Sequence, residues 1–298
     1  MTLIILLHIL FASTFTTGKF LSSQTSPVFL TGLRMFLGGI IVLLYLLLYN
    51  RKKHSYHFDL SDLPQFIKIT FFGIYFNYIL RFWALAYLPS SKTCFLFNFQ
   101  PFLSALYLYL LYGQRLTRNK WIGLLVGFIG MMPMLVGTTT AETVTNEYLF
   151  ISLPELAVLV SVAMHSYSWI VVQDLVKNKK YNPAFITGTT MTTGGVLALL
   201  TAFFINDLPP LNHSKEFLFW LMFVVLVSNV FCHNLYGHLL KKYSATLMAF
   251  ASFLTPIFAG FLGWAFLHET ISWHFYVSTI IVLTGLYVFY KDELNVVQ

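Results

Sequence analysis

Residues 27–44 read PVFLTGLRMFLGGIIVLL, and residues 183–200 read PAFITGTTMTTGGVLALL. At a constant offset of 156, nine of the eighteen positions are identical: Pro27/Pro183, Phe29/Phe185, Thr31/Thr187, Gly32/Gly188, Met35/Met191, Gly38/Gly194, Gly39/Gly195, Leu43/Leu199 and Leu44/Leu200. Leucines match by chance in apolar sequence. A proline, a threonine and paired glycines in register are harder to match that way, so the stretch reads as one copy of a duplicated half.

The surroundings of the two copies set the class. The 298 residues are 57% hydrophobic and 10% charged, with a mean hydropathy of +0.73. A soluble domain carries about 25% charged residues, so this chain is read as an integral membrane protein whose first partner is the lipid bilayer. The net charge of +7 comes from short Lys/Arg clusters between apolar runs, which is not the pattern of a nucleic-acid-binding face. Cys94 and Cys232 have no metal-ligand spacing, and neither metal nor cofactor is expected.

A helix needs about 20 apolar residues to cross a bilayer. That criterion predicts ten spans: 2–20, 27–49, 66–88, 93–112, 121–137, 152–173, 183–206, 217–238, 244–267 and 273–290. The first lacks a preceding basic segment and contains His8 and Lys19, so it is read as a span rather than as a removable signal peptide. The longest connection is the polar, acidic 137–151.

With a cytoplasmic N-terminus, twelve cations fall in the inner loops and tail, from Arg51 and Lys52 to Lys242 and Lys291. Only Lys92 and Lys215 fall outside. That bias places both termini in the cytoplasm of a multi-pass protein of the cell's inner (plasma) membrane. Pro27 opens the second span and Pro183 the seventh, so each copy holds five crossings and the second is inverted. Further matches at offset 155, Pro101/Pro256 and Gly130/Gly285, extend the repeat. The expected fold is all-α: ten transmembrane helices as two inverted five-helix repeats, 1–137 and 152–290, with 291–298 a cytoplasmic tail. Such repeats exchange inward- and outward-facing shapes around a central site in many transporters.

The segments GLRMFLGG (32–39), ALAYLPSS (84–91), Pro101 with GQRL (113–116), and TLMAFASFLTPIFAGFLGWAFLHETIS (246–272) resemble the EamA family of the drug/metabolite transporter superfamily. The resemblance covers essentially the whole chain. It implies ten spans in two halves and transport of a small organic solute. It also implies an acidic turn after each half's fourth span, which Glu269 keeps and Gln114 lacks. Relatives include amino-acid exporters and importers of S-adenosylmethionine, so an amino acid or amino-acid-derived solute is the expected cargo. No nucleotide-binding or enzyme motif is present, so no enzymatic activity is expected and a gradient or exchange must supply energy. A non-transporting scaffold or receptor is the alternative reading.

Polar groups inside spans are the candidate site, since a buried charge in a bilayer is costly and faces the bundle interior. Asn77 and Arg81 share a face of the third span, and Asn229 and His233 repeat that spacing in the eighth. Arg34 lies mid-span opposite Thr190. It reads either as a cation for a substrate carboxylate or as half of an ion pair with Asp174 or Glu155. Asn98 and Gln100 precede Pro101, and Pro256 holds the matching place, so both helices should break near the midplane. His165 reads as a proton carrier or as a hydrogen-bonded structural residue. Gly123 and Gly127 form a small-xxx-small face for a neighbouring helix, either in this chain or across a homodimer.

Overall fold

In a computed structural model of the protein, the structure describes residues 2–22, 24–49, 58–85, 87–88, 93, 96–136, 152–206, 214–258, 261 and 273–297. The 137–151 loop, Glu269, Cys94 and the Lys19 side chain lie outside that description. Among the described residues every regular element is helical.

The chain opens with α1 (Thr2–Ser22) and α2 (Pro27–Tyr49). A third stretch, α3 (residues 63–85), joins helix Leu63–Lys68, a π-helical Ile69–Tyr75 and helix Phe76–Leu85. Then come α4 (Gln100–Tyr112), α5 (Arg118–Val136), α6 (Leu153–Lys177) and α7 (Pro183–Phe204). The next, α8 (residues 215–239), again carries a π segment, Val225–Cys232, between Lys215–Val224 and His233–Leu239. The last two are α9 (Ala245–Ala251) and α10 (Trp273–Val297).

Start signals are local and consistent. The side-chain oxygens of Ser26, Asn182, Ser214 and Ser244 accept from Phe29, Ala184, Phe217 and Leu247 N–H at 2.9–3.2 Å, capping α2, α7, α8 and α9. Pro27 and Pro183 sit in first turns, where a missing N–H costs nothing. Two ends differ from the sequence reading. The third helix starts at Leu63 rather than at 66, behind a 3-10 turn, Leu60–Asp62, that Asp59 caps. The last helix runs on to Val297 through most of the segment read as a tail.

Among the described residues, four helices are long and apolar enough to cross a membrane: Pro27–Leu48, Leu153–Lys177, Pro183–Phe204 and Lys215–Leu239. Large apolar side chains face outward all along the bundle, among them Leu48 at 83% exposure and Phe204 at 76%. A water-facing surface cannot be built that way, and the chain is an all-helical membrane protein.

The repeated stretch forms the central crossing. A Cβ on Gly32 would stand 2.8 Å from the backbone nitrogen of Leu199, and one on Gly188 would stand 2.9 Å from the Leu43 side chain. At offset 156 these are the same contact seen from either copy. Gly39 against Thr192 and Gly195 against Phe36 form a second such pair. Reciprocal contacts of this kind arise at a self-complementary packing surface.

The α5–α10 crossing behaves alike at offset 155, with Gly130 against Val282 and Gly285 against Gly127. The small-residue face of Gly123 and Gly127 is thereby filled within the chain, by Gly285, Phe289, Phe250 and Phe253.

Candidate functional site

Helix breaks position the polar groups. In each π segment one extra residue enters the turn, and the ladder shifts to i→i−5: Phe76 N–H bonds to Phe71 C=O and His233 N–H to Ser228 C=O. Ile69 and Val225, which open the two segments, are 156 residues apart.

The proline breaks also correspond. Before α4, Asn98 and Phe99 form a turn with Phe99 N–H bonded to Leu96 C=O at 3.2 Å. After α9, Ser252 and Phe253 turn likewise, bonded to Ala249 and Phe250 at 3.1 Å. Pro101 and Pro256 each follow their break by two or three residues, and a proline deprives the carbonyl four residues earlier of its donor.

These segments surround a cavity whose empty space, its open mouth included, is about 950 Å3. Its walls come from α1, α2, α3, α6, α8, α9 and the turn at 97–100. Arg34, Arg81, Asn98, Gln100, His165, His233 and Pro256 line it. Asn77, Asn229 and Pro101 are not part of that lining, and Asn77 and Asn229 bond to residues that are.

Arg34 is 4% exposed. Its Nε and Nη2 donate to Asn229 Oδ1 at 3.3 and 2.8 Å, and Nη2 also donates to Ser228 Oγ at 3.3 Å. The Asn229 amide returns a bond to the Arg34 carbonyl at 2.9 Å. The ion pair considered for Arg34 is therefore absent. Asp174 accepts from Asn178, and Glu155 accepts from the backbone N–H of Ser152 in a helix cap.

Arg81 packs its guanidinium over Tyr78 at 4.3 Å and beside Phe97 and Phe82 at 5.2 and 5.6 Å. Arg34 is 5.2 Å from the same Tyr78 ring. Among the described residues no carboxylate pairs with either arginine, the ion pair found there being Lys179–Asp62. Aromatic faces offset part of the cost of two cations in an apolar interior. They leave the charge itself uncompensated.

His165 has a polar neighbour at each ring nitrogen. Trp169 Nε1–H donates to its Nε2 at 3.0 Å, and the Asn77 amide meets Nδ1 at 3.0 Å while taking a bond from Ser161 Oγ at 2.7 Å. His233 Nδ1 faces the Ser228 carbonyl at 2.7 Å, an acceptor only, so Nδ1 carries the proton. Its Nε2 then accepts from the Tyr78 hydroxyl at 2.9 Å.

Sequence reasoning passed over His8, whose Nδ1 meets Thr255 Oγ1 at 3.0 Å and links α1 to the helical segment at 254–258 beyond the break after α9. It also passed over Tyr236, whose ring centroid lies 4.0 Å from that of Trp169 and completes an aromatic wall. Both signals were present: an ionisable residue inside a span, and a tyrosine three residues past His233 on one helical face. Among the described residues no three His, Cys, Asp or Glu side chains gather to hold a metal.

A crystal structure of another protein superposes with a TM-score of 0.76 over 99% of this chain and 98% of that one, at 16% identity. That likeness shows the fold. The S-adenosylmethionine/S-adenosylhomocysteine transporter of Chlamydia muridarum is 29% identical over 98% of this chain and 91% of its own length. The protein of the same description from Chlamydia trachomatis serovar L2 is 27% identical over 98% and 89%. The uncharacterized transporter YoaV of Bacillus subtilis is 24% identical over 88% and 86%. The EamA-like transporter family model matches residues 1–136 and 152–291. The chain belongs to the EamA-like transporter family and is a membrane transporter.

Proposed function

We propose that this transporter moves S-adenosylmethionine or S-adenosylhomocysteine across the cell's inner membrane by alternating access, without a chemical step on the solute. In this reading ten helices cross the bilayer, with both termini cytoplasmic. Residues 1–137 and 152–290 are inverted five-helix halves that rock about the α2–α7 crossing. The reciprocal glycine contacts and the corresponding helix breaks support that arrangement.

One observation carries the choice of solute. The cavity sets two arginines, unmatched by any carboxylate among the described residues, beside an aromatic wall of Trp169 and Tyr236. An amino-acid carboxylate suits the first feature. A flat adenine or a sulfonium suits the second. The relatives named for these two solutes lead to the same choice.

The test is uptake by vesicles of purified protein, using labelled S-adenosylmethionine, amino acids and nucleosides. Saturable uptake of the adenosyl compound, competed by S-adenosylhomocysteine, is expected. Uptake of nucleosides or plain amino acids in its place would overturn the choice of solute. No uptake of any solute would overturn the proposed cycle.

A further inference from the structure

Four side-chain atoms on cavity-lining residues are buried without a hydrogen-bond partner among the described residues: Arg81 Nε, Asn98 Nδ2, His8 Nε2 and Tyr236 Oη. They divide by chemistry. The first two can only donate. Both line the same cavity, and Arg81 is 5.2 Å from the ring of Phe97, the chain neighbour of Asn98. The other two can donate or accept. Both sit with the aromatic wall, His8 facing Phe11 at 6.2 Å and Phe11 facing His233, which adjoins Trp169 at 5.9 Å.

Asn98 is 2% exposed, and a donor buried so deeply without a partner costs about 1–3 kcal/mol. A charged guanidinium left unpaired costs more. Such an arrangement is stable when a ligand completes it.

We propose that Arg81 and Asn98 form a carboxylate subsite, in which Arg81 Nε–H and the Asn98 amide N–H donate to the carboxylate oxygens of an amino-acid moiety. Arg34, fixed by Asn229 and Ser228, adds charge without surrendering its own bonds. A carboxylate accepts at two oxygens and donates nothing, which matches two unpartnered donors on cavity-lining residues, one of them cationic, with Arg34 as a second cation. The rest of the solute then extends along Trp169 and Tyr236, where His8 Nε2 and Tyr236 Oη meet the edge of a heterocycle. This deepens the proposed function and rests on its premise that the solute bears a carboxylate.

The experiment compares two ligands on purified protein: S-adenosylhomocysteine and its decarboxylated analogue, which keeps adenosine, thioether and amine. The wild type is expected to bind the first at least about 10-fold more tightly, the worth of a charge-assisted bond. Arg81→Gln and Asn98→Leu should each shrink that ratio to within about 3-fold while leaving the analogue's affinity unchanged. Arg81→Lys, which keeps charge without Nε–H, should fall between.

Equal binding of the two ligands by the wild type would overturn the subsite, as would variants that weaken both ligands alike. Tighter binding of adenosine monophosphate than of S-adenosylhomocysteine would make it a phosphate site instead. If no adenosyl compound binds, the solute reading fails, and tryptophan against tryptamine applies the same test. The subsite stands if tryptophan is preferred and falls if it is not.

Discussion

The Tyr78 hydroxyl in α3 donates to His233 Nε2 in α8 at 2.9 Å, joining the two helices whose π segments open 156 residues apart. In the proposed inverted arrangement α3 and α8 are equivalent helices, so this bond ties corresponding helices of the two halves together. Tyr78 also lies under both arginines, so this contact joins the symmetry of the fold to the charge of the cavity.

Tyr78→Phe keeps the ring beneath the guanidinium groups but leaves His233 Nε2 with no donor. The expected cost is about 1–3 kcal/mol, read as a lower midpoint of thermal unfolding in detergent. In a double-mutant cycle with His233→Phe, the second change should recover most of that loss. Additive losses would mean that the two side chains are not coupled.

Asn229→Leu removes the Oδ1 that accepts two of the three Arg34 side-chain hydrogen bonds and inserts an apolar group against a buried cation. The expected loss is about 3–5 kcal/mol, the scale for stripping a buried charge of its partner. Size-exclusion profiles should show little folded protein. Arg34→Leu combined with Asn229→Leu should fold better than Asn229→Leu alone, while failing to transport.

Gly285→Ala places a Cβ 2.7 Å from the backbone nitrogen of Gly127, with backbone rather than a flexible side chain in the way. Overpacking of this kind costs about 1–3 kcal/mol. Gly113→Ala meets no atom within 4 Å, but the residue sits at φ +64 after α4, so its cost is backbone strain alone. Melting curves of the two variants should therefore rank Gly285→Ala as the more damaging.

One end of the bundle carries an ionic latch. Asp62, 2% exposed, accepts from the Tyr181 hydroxyl at 2.9 Å and pairs with Lys179 at 3.0 Å, joining the start of α3 to the turn before α7. Phe66, Tyr181 and Phe185 pack beneath it with centroids 5.6–6.4 Å apart. Asp62→Ala should raise the labelling rate of a cysteine introduced at Phe185. The hydrogen bond and charge of Asp62 raise the Lys179 ammonium above its ordinary value. An upward shift gives a contribution complete below the unfolded lysine value and lost as pH rises through the folded one. Wild-type labelling, corrected for thiol reactivity, should therefore stay flat between about pH 6 and 9.

Much of the framework was legible in the sequence because it depends on residues that act locally. Pro27, Pro183 and their cap residues announce helix starts, and Gly32, Gly39, Gly188 and Gly195 mark where two backbones approach. Pro101 and Pro256 likewise mark breaks, since a missing N–H acts wherever it stands. The π segments were not legible, because an extra residue in a turn has no residue type of its own.

The partner of Arg34 was sought among acids and found in Asn229. Sequence shows that a cation lies in a span, but not which side chain of another span meets it at that depth. The extension of α10 past residue 290 has a simple origin. Hydropathy marks where a helix leaves the apolar layer, while backbone hydrogen bonding continues beyond it.

The proposed cycle carries an adenosyl amino acid through the cavity that Arg81 lines. Counterflow tests it most directly, with vesicles loaded with unlabelled S-adenosylhomocysteine and given trace labelled S-adenosylmethionine outside. Wild-type vesicles should show a transient overshoot, and vesicles with folded Arg81→Ala protein should show none. A flat wild-type trace, or a full overshoot from Arg81→Ala, would contradict it.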